Sequence, residues 1–371
     1  MRARGGKPLV VVAAGGTGGH LFPAEALSTA LERRGIIIDL ATDERATRYG
    51  TTFPARATHV IASATFRRRN PISLIRTTAV LGLGTAKALA LLGKLKPAAV
   101  VGFGGYPTIP PVLAATLRGI PALIHEQNGV LGRANRLLSR RVQAIATSFP
   151  GVLDAEPPLA AKATQTGNPV REVVIEASKT PFSPVEPNGP LHLLVFGGSQ
   201  GARVMADIVP PAVERLPYTL RRRLSVVQQA RDEDLPRVRE AYARCEVKAE
   251  VAAFFPDLPA RMAQSHLVVS RAGASTVAEL AAIGRPAILV PLPHALDQDQ
   301  LANAMVLERA GGAICVKQEA FSSVLLTTEI VRLVVVPENL STMAAAARSV
   351  GAVDAADQLA ELVLRVTGLN R

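Results

Sequence analysis

A construction that parallel α/β sheets use at their ligand edge is written twice in this chain. Near the start, the run Leu9 to Ala13 leads into Gly15-Gly16-Thr17-Gly18-Gly19-His20, and Leu27, Ala30 and Leu31 then mark the buried side of a helix, with Pro23 read as its first-turn proline. At an offset of 182 residues the apolar segment LHLLVF leads into Gly197-Gly198-Ser199-Gln200-Gly201 and another helix. Both turns read G-G-[T/S]-x-G, and such glycines let backbone approach a ligand closely, although one such turn alone is a weak motif. A second pair repeats the theme. VVGFGGYPTIPPVLAATLRGIPALIHE, from Val100, parallels VVSRAGASTVAELAAIGRPAILVP, from Val268, in its order of strand, small-residue turn, helix, Gly-x-Pro-Ala and strand. Two such units in each half predict an α/β protein of two similar lobes. Each is read as a doubly wound, Rossmann-like parallel sheet, with ligands at the carboxyl ends of the strands and the active site in the cleft between the lobes.

The junction is expected at Thr166-Gly167-Asn168-Pro169-Val170-Arg171, which divides the chain into 1–169 and 170–350, and four prolines between Lys179 and Pro190 read as a loop early in the second lobe. Ala and Leu spacing from 353 to 366 predicts a closing helix within 351–371; periodicity does not decide its lobe, and packing back on the first is open. A length of 371 residues exceeds one ordinary core and suits two domains. No uninterrupted apolar run approaches the roughly 20 residues of a membrane span, and the N-terminus breaks into glycines after one strand-length run, so a cytoplasmic protein is expected. Cys245 and Cys315 lie far apart and form no CxxC pair, which indicates neither a disulfide framework nor a zinc site.

The net charge of +12 is confined to the first lobe: residues 1–169 hold 21 Lys and Arg against 8 Asp and Glu, and the remainder 21 against 22. That asymmetry points to an anionic partner on the first lobe, whether nucleic acid, a phosphorylated substrate or an acidic membrane surface. Aromatic residues make up only 4% with no tryptophan, and no interleaved basic and aromatic pattern occurs, so nucleic acid is not the expected partner. Between Thr65 and Lys96, basic residues (Arg67, Arg68, Arg69, Arg76, Lys87, Lys94, Lys96) alternate with Ile72, Leu74, Ile75, Val80, Leu81 and Leu83, and Gly82 and Gly84 are expected to interrupt any long helix. Such a segment is either a shallow-inserting surface for an anionic bilayer or a crossover helix with solvated basic flanks.

In the stretch from Val268, the turn Ala272-Gly273-Ala274-Ser275 opens a helix whose first N–H groups and dipole suit a phosphate. Glu279, one turn further on, is placed either to accept both hydroxyls of a ribose or merely to complement the helix dipole. Two Asp-x-Asp patterns, Asp232-Glu233-Asp234 and Asp297-Gln298-Asp299, match the spacing that holds a divalent ion in other sugar transferases. The first follows an Arg and precedes Leu235-Pro236 in a polar loop, the second lies before a predicted helix, where acidic residues commonly cap, and no metal or cofactor is expected.

Taken together, the His20 turn, Gly102-Phe103-Gly104-Gly105-Tyr106-Pro107, His125-Glu126-Gln127-Asn128, the 166–171 segment, Gly197 to Ala202, Ser270 to Thr276 and Gln300 to Ala304 resemble the MurG family, the peripheral-membrane glycosyltransferases of peptidoglycan synthesis. The resemblance runs from Val10 to about Val316 in family order. It implies the GT-B architecture and an inverting transfer of N-acetylglucosamine from UDP-N-acetylglucosamine to the muramyl 4-hydroxyl of undecaprenyl-diphosphate-linked lipid I, giving lipid II. It further implies a peripheral location on the cytoplasmic face of the membrane, with anionic lipid and other cell-wall synthesis proteins as partners. The donor contacts so implied are Thr17, Gly18 and Gly19, Ser199 at the diphosphate, the Phe255 backbone at the uracil, Ala274, Ser275 and Thr276 along the diphosphate and sugar, and Glu279 at the ribose. Arg171 is a bidentate diphosphate partner, and Asn128 and Gln300 meet the N-acetyl sugar. Asp299 stands where the family often has histidine. Tyr106, His125 and Glu126 are the acceptor candidates, with a structural role open for the last two; His294 belongs either to the donor site or to a loop.

His20 is the expected general base, since imidazole, with an ordinary pKa of about 6.5, is largely neutral near pH 7 and can take a proton; a helix-capping or diphosphate-binding role is the alternative. Three rival functions share parts of this pattern. A UDP-N-acetylglucosamine epimerase needs no basic, lipid-facing lobe. A catalytically silent scaffold would not need His20, Arg171, Glu279 and Gln300 together. A dinucleotide oxidoreductase would need a clean G-x-G-x-x-G with an acidic ribose partner, for which only Asp39 and Asp43 are near enough.

Overall fold

The computed structural model describes residues 7–15, 17–44, 53–63, 71–198, 201–293, 295 and 298–369, with backbone alone at 71–74 and 337. The chain divides into two units, one made of 1–171 with 354–371 and the other of 172–353. In the first, β1 (Leu9–Ala13), β2 (Ile37–Thr42), β3 (Ala57–Val60), β4 (Ala99–Gly102), β5 (Ala122–Glu126), β6 (Ala144–Thr147) and β7 (Ala163–Gln165) are ordered β3-β2-β1-β4-β5-β6-β7. In the second, β8 (Leu191–Phe196), β9 (Leu224–Gln229), β10 (Lys248–Ala252), β11 (Leu267–Ser270), β12 (Ala287–Leu289) and β13 (Ala313–Cys315) are ordered β10-β9-β8-β11-β12-β13. Every pairing in both sheets is parallel.

The apolar runs are explained by helices on both faces. Successive β1 side chains point to opposite sides, so Val10 and Val12 pack with Leu27 and Leu31 of the helix Gly18–Glu32, while Val11 and Ala13 pack with Ile109 and Val112 of the helix Ile109–Leu117. The closing helix Ala355–Thr367 lies on the first unit. Its Leu359, Ala360 and Val363 are fully buried in the Leu27 cluster, each large side chain worth roughly 1.5–3 kcal/mol of transfer free energy, and Asp357 meets Arg34 at 2.7 Å.

Two local expectations are corrected. Pro23 sits inside the helix Gly18–Glu32 rather than in its first turn, because the helix begins within the glycine turn itself; the proline therefore removes the N–H that would bond the Gly19 carbonyl. Gly82 and Gly84 do not break the helix Pro71–Leu95, which runs 25 residues. A Cβ at Gly84 would stand 2.3 Å from the Ala62 carbonyl oxygen, so glycine there is what lets the helix press onto its neighbours. Thr77, Gly84, Ala88 and Leu92 form its buried stripe, whereas Ile75 is 71% and Leu83 65% exposed. Although Arg76 and Lys87 interrupt the apolar run, Ile75–Leu95 is by length and composition apolar enough to cross a bilayer, and only 17% of its most apolar window is buried.

Strand order reverses between β1 and β4 in one unit and between β8 and β11 in the other. Register pairs Ala13 with Gly102 and Phe196 with Ser270, so the turns after these strands emerge side by side at carboxyl ends, where such sheets bind ligands.

Candidate active site

At the first switch point the turn after β1 delivers His20 into the first turn of its helix, and the turn after β4 folds over the ring. Gly104 and Gly105 have φ of +81° and +73°, a left-handed backbone that a side chain disfavours. A Cβ on Gly105 would lie 3.2 Å from His20 Cδ2 and 3.3 Å from Nε2, and one on Gly104 3.5 Å from Cε1. Bare backbone thus sets the position of the imidazole. On its other side, Nδ1 is 3.1 Å from Oε1 of Gln127, the residue that follows β5.

His125 and Glu126, expected near the acceptor, are 0% and 1% exposed and are both held within the unit. His125 Nε2–H donates to the Gly167 carbonyl, and Gln127 Nε2 donates to His125 Nδ1. Burial pushes the His125 pKa down to about 4, against the Gly167 hydrogen bond, and the charge of a protonated His20 lowers it further, so its ring is neutral near pH 7. The Glu126 carboxylate accepts from the backbone N–H groups of Asn128 and Gly132 and from the side-chain amides of Asn128 and Asn135, which moulds the 127–132 loop. Asn128 is thereby fixed on that loop. Tyr106 begins the short 3₁₀ turn after Gly105. Arg171 lies with its guanidinium 3.9 Å above the Phe22 ring, two residues along from His20; nearby, burial raises the Glu25 pKa while Arg171 draws it back.

At the second switch point the helix Ala274–Ile283 begins at Gly273 with no side-chain cap, and the helix Arg203–Glu214 after the β8 turn has none either. The first-turn N–H groups of Ala274, Ser275 and Thr276 have no intrahelical acceptor, and the buried Ser275 hydroxyl has no hydrogen-bond partner among the described residues. Glu279 is buried (8% exposed) one turn on. Asn303, fully buried, donates to the Ala272 carbonyl, and Arg271 donates to the Val290 and Pro291 carbonyls, so the turn after β11 is tied to the helix Asp299–Ala310 and to the end of β12. Gln300 accepts from the Leu292 N–H, and the Asp299 carboxylate accepts from the Gln300 N–H, a helix-start contact. Phe255, just beyond β10, is covered by the Arg261 guanidinium at 4.5 Å, which Glu250 and Asp257 hold in place.

Thr17, Gly18, Gly19, His20, Tyr106, Asn128 and Arg171 thus belong to the first unit, and Phe255, Ala274, Ser275, Thr276, Glu279 and Gln300 to the second. Ser199, His294 and Asp297, with Arg67, Arg68 and Arg69, lie outside the described residues. Asp234, the end of one Asp-x-Asp reading, is paired with Arg237 at 2.6 Å, and Asp39 is held by Arg56 and His59 at 2.8 and 2.9 Å. A groove of about 930 Å³ in the second unit, lined by His192, Ser225, Lys248 and His266, opens near the amino-terminal ends of the strands, away from these turns. Sequence reasoning passed over Gln127, Asn135, Arg271 and Asn303. All but Asn135 stood inside quoted motifs, and the signal was an amide or guanidinium beside a glycine turn, the residue type that can tie two backbone segments together.

The models of the glycosyltransferase family 28 N-terminal and C-terminal domains match residues 10–147 and 192–359. A protein of Rhodopseudomonas palustris strain BisA53 named UDP-N-acetylglucosamine–N-acetylmuramyl-(pentapeptide) pyrophosphoryl-undecaprenol N-acetylglucosamine transferase is 59% identical over 362 residues, covering 98% of this chain and 97% of the relative. One of the same name from Bradyrhizobium diazoefficiens is 57% identical, covering 98% and 99%. The crystal structure of Acinetobacter baumannii MurG superposes with a TM-score of 0.78 at 30% identity, covering 97% of this chain and 99% of that one. The UDP-GlcNAc 2-epimerase of Neisseria meningitidis, at 17% identity and a TM-score of 0.66, shares the fold alone. With near full-length identity to these transferases and both family 28 domains in order, the chain belongs to the MurG family of glycosyltransferases.

Proposed function

We propose that this protein transfers N-acetylglucosamine from UDP-N-acetylglucosamine to the muramyl 4-hydroxyl of undecaprenyl-diphosphate-linked lipid I, releasing UDP and giving lipid II. His20 Nε2 takes the proton of the acceptor hydroxyl. The oxygen's electron pair forms a bond to the anomeric carbon from the face opposite UDP, the bond from that carbon to the β-phosphate oxygen breaks, and its electrons leave on UDP, so an α-linked donor yields a β-linked product. Developing charge on the diphosphate is received by the N–H groups at Ala274 to Thr276, by the Ser199 turn and by Arg171. Glu279 accepts the ribose hydroxyls, the Phe255 backbone meets the uracil, Gln300 and Asn128 meet the N-acetyl sugar, and Tyr106 meets the acceptor. No cofactor enters the scheme.

The observation that supports this reading most is the uncapped helix at Ala274, with an unpartnered buried hydroxyl on Ser275 and a buried carboxylate on Glu279, a set suited to a diphosphate followed by a ribose. The protein docks on the anionic cytoplasmic face of the membrane through the outer side of the helix Pro71–Leu95, where exposed Ile75 and Leu83 are interspersed with Arg76, Lys87 and Lys94. Steady-state kinetics of His20→Ala test the chemistry. kcat should fall by roughly 10²- to 10⁴-fold with donor affinity near wild type; a variant of near-normal kcat removes His20 as the base.

A further inference from the structure

His20, Gln127, His125 and Gly167 form one hydrogen-bonded chain whose polarity can be read from its buried end. The Gly167 carbonyl can only accept, so His125 Nε2, 3.0 Å away, carries the proton and His125 Nδ1 carries the lone pair. The Gln127 side chain has one polar atom 2.9 Å from that lone pair and 3.1 Å from the His125 carbonyl oxygen, two acceptors at once, so this atom is the NH₂ group. Its other polar atom is therefore the oxygen, which only accepts, and it faces His20 Nδ1 at 3.1 Å. His20 Nδ1 must donate.

We propose that Gln127 is a positioning residue that holds neutral His20 in the tautomer with the proton on Nδ1 and the lone pair on Nε2. The inference rests on the reading of His20 as the base, because only that tautomer can accept a proton at Nε2, the atom beside Gly105. Gln127 is 1% exposed and His125 fully buried, so solvent does not compete for the bond between them, and the neutrality of His125 keeps the amide from turning over. The arrangement has the logic of a base oriented by a third group, with an amide in the place a carboxylate takes in hydrolytic triads.

Nitrogen NMR of the full chain labelled with ¹⁵N-histidine tests this, with the His20 signal assigned by its loss in His20→Ala. The expected wild-type spectrum shows neutral His20 protonated at Nδ1 and unprotonated at Nε2. In Gln127→Met the population should move toward the Nε2–H form while kcat falls at least about tenfold, the order produced by one lost buried hydrogen bond, with KM for UDP-N-acetylglucosamine unchanged. A wild-type His20 protonated at Nε2 overturns the proposal without recourse to any variant, as does an unaltered tautomer in Gln127→Met. A shifted tautomer with undiminished kcat upholds the lock and removes His20 as the base instead.

Discussion

Replacing Gly105 with alanine tests the His20 geometry at a single methyl group. The position has φ of +73° and ψ of 160°, an extended positive-φ conformation that essentially only glycine adopts, so alanine pays about 1–3 kcal/mol of backbone strain, and its Cβ would stand 3.2 and 3.3 Å from His20 Cδ2 and Nε2, closer than ordinary contact. The ring must give by a few tenths of an ångström, and the methyl lies over the atom assigned to receive the proton. Because misplacement of a reacting group by about 1 Å costs roughly 10²-fold, a shift of a few tenths of that should lower kcat for sugar transfer by about 4- to 10-fold. Gly119→Ala supplies the control: φ is +68° there, but nothing lies within 4 Å of the added Cβ. Both variants should lose stability in thermal unfolding, about 2–4 °C per kcal/mol, and only Gly105→Ala should lose activity. UDP affinity, measured by calorimetry, should be unaltered in both, since the donor helix belongs to the other unit. If Gly105→Ala retained the kcat of Gly119→Ala, the placement of His20 Nε2 at the reaction would be refuted.

Glu279→Ala should weaken UDP-N-acetylglucosamine binding by roughly 1–3 kcal/mol without unfolding its unit; unchanged affinity in calorimetry would remove Glu279 from the donor site. Ile75→Ser with Leu83→Ser should reduce co-sedimentation with anionic vesicles, and binding of the parent protein should fall with added salt; intact vesicle binding would place the membrane surface elsewhere. His125, with a folded pKa lowered to about 4 from 6.5, binds fewer protons folded than unfolded between those values, so its contribution is complete above about pH 6.5 and is lost as pH falls toward 4. Urea unfolding of the first unit should therefore weaken by up to about 3 kcal/mol over that window, and His125→Asn should flatten the slope; an equal slope in the variant would contradict the buried, neutral assignment.

The two-sheet organisation was legible because strands buried on both faces leave unbroken apolar runs, and because a chain reversing at a sheet edge needs glycine where backbone approaches a ligand. The repeat of the His20 turn at Gly197 and of the Gly104 turn at Gly273 marked the ligand-facing turns of both sheets. What stayed hidden was tertiary. Gly84 read as a helix breaker because propensity speaks for an isolated segment, whereas the Ala62 carbonyl pressed against it decides the matter. Glu126 read equally well as a ligand or a strut, and only the four donors around its carboxylate show that it moulds a loop. The direction of the Gln127 amide depends on a carbonyl forty residues away in sequence, a constraint that no local pattern carries.

The central claim is the transfer itself, and incubation of the purified protein with radiolabelled UDP-N-acetylglucosamine and a lipid I analogue measures it most directly. Label should pass to the lipid-linked muramyl acceptor, with one UDP released for each sugar transferred and with loss of transfer in His20→Ala. Label that stays in the aqueous phase, or that appears as an epimerised sugar nucleotide while a reference transferase labels the same acceptor, would contradict the account.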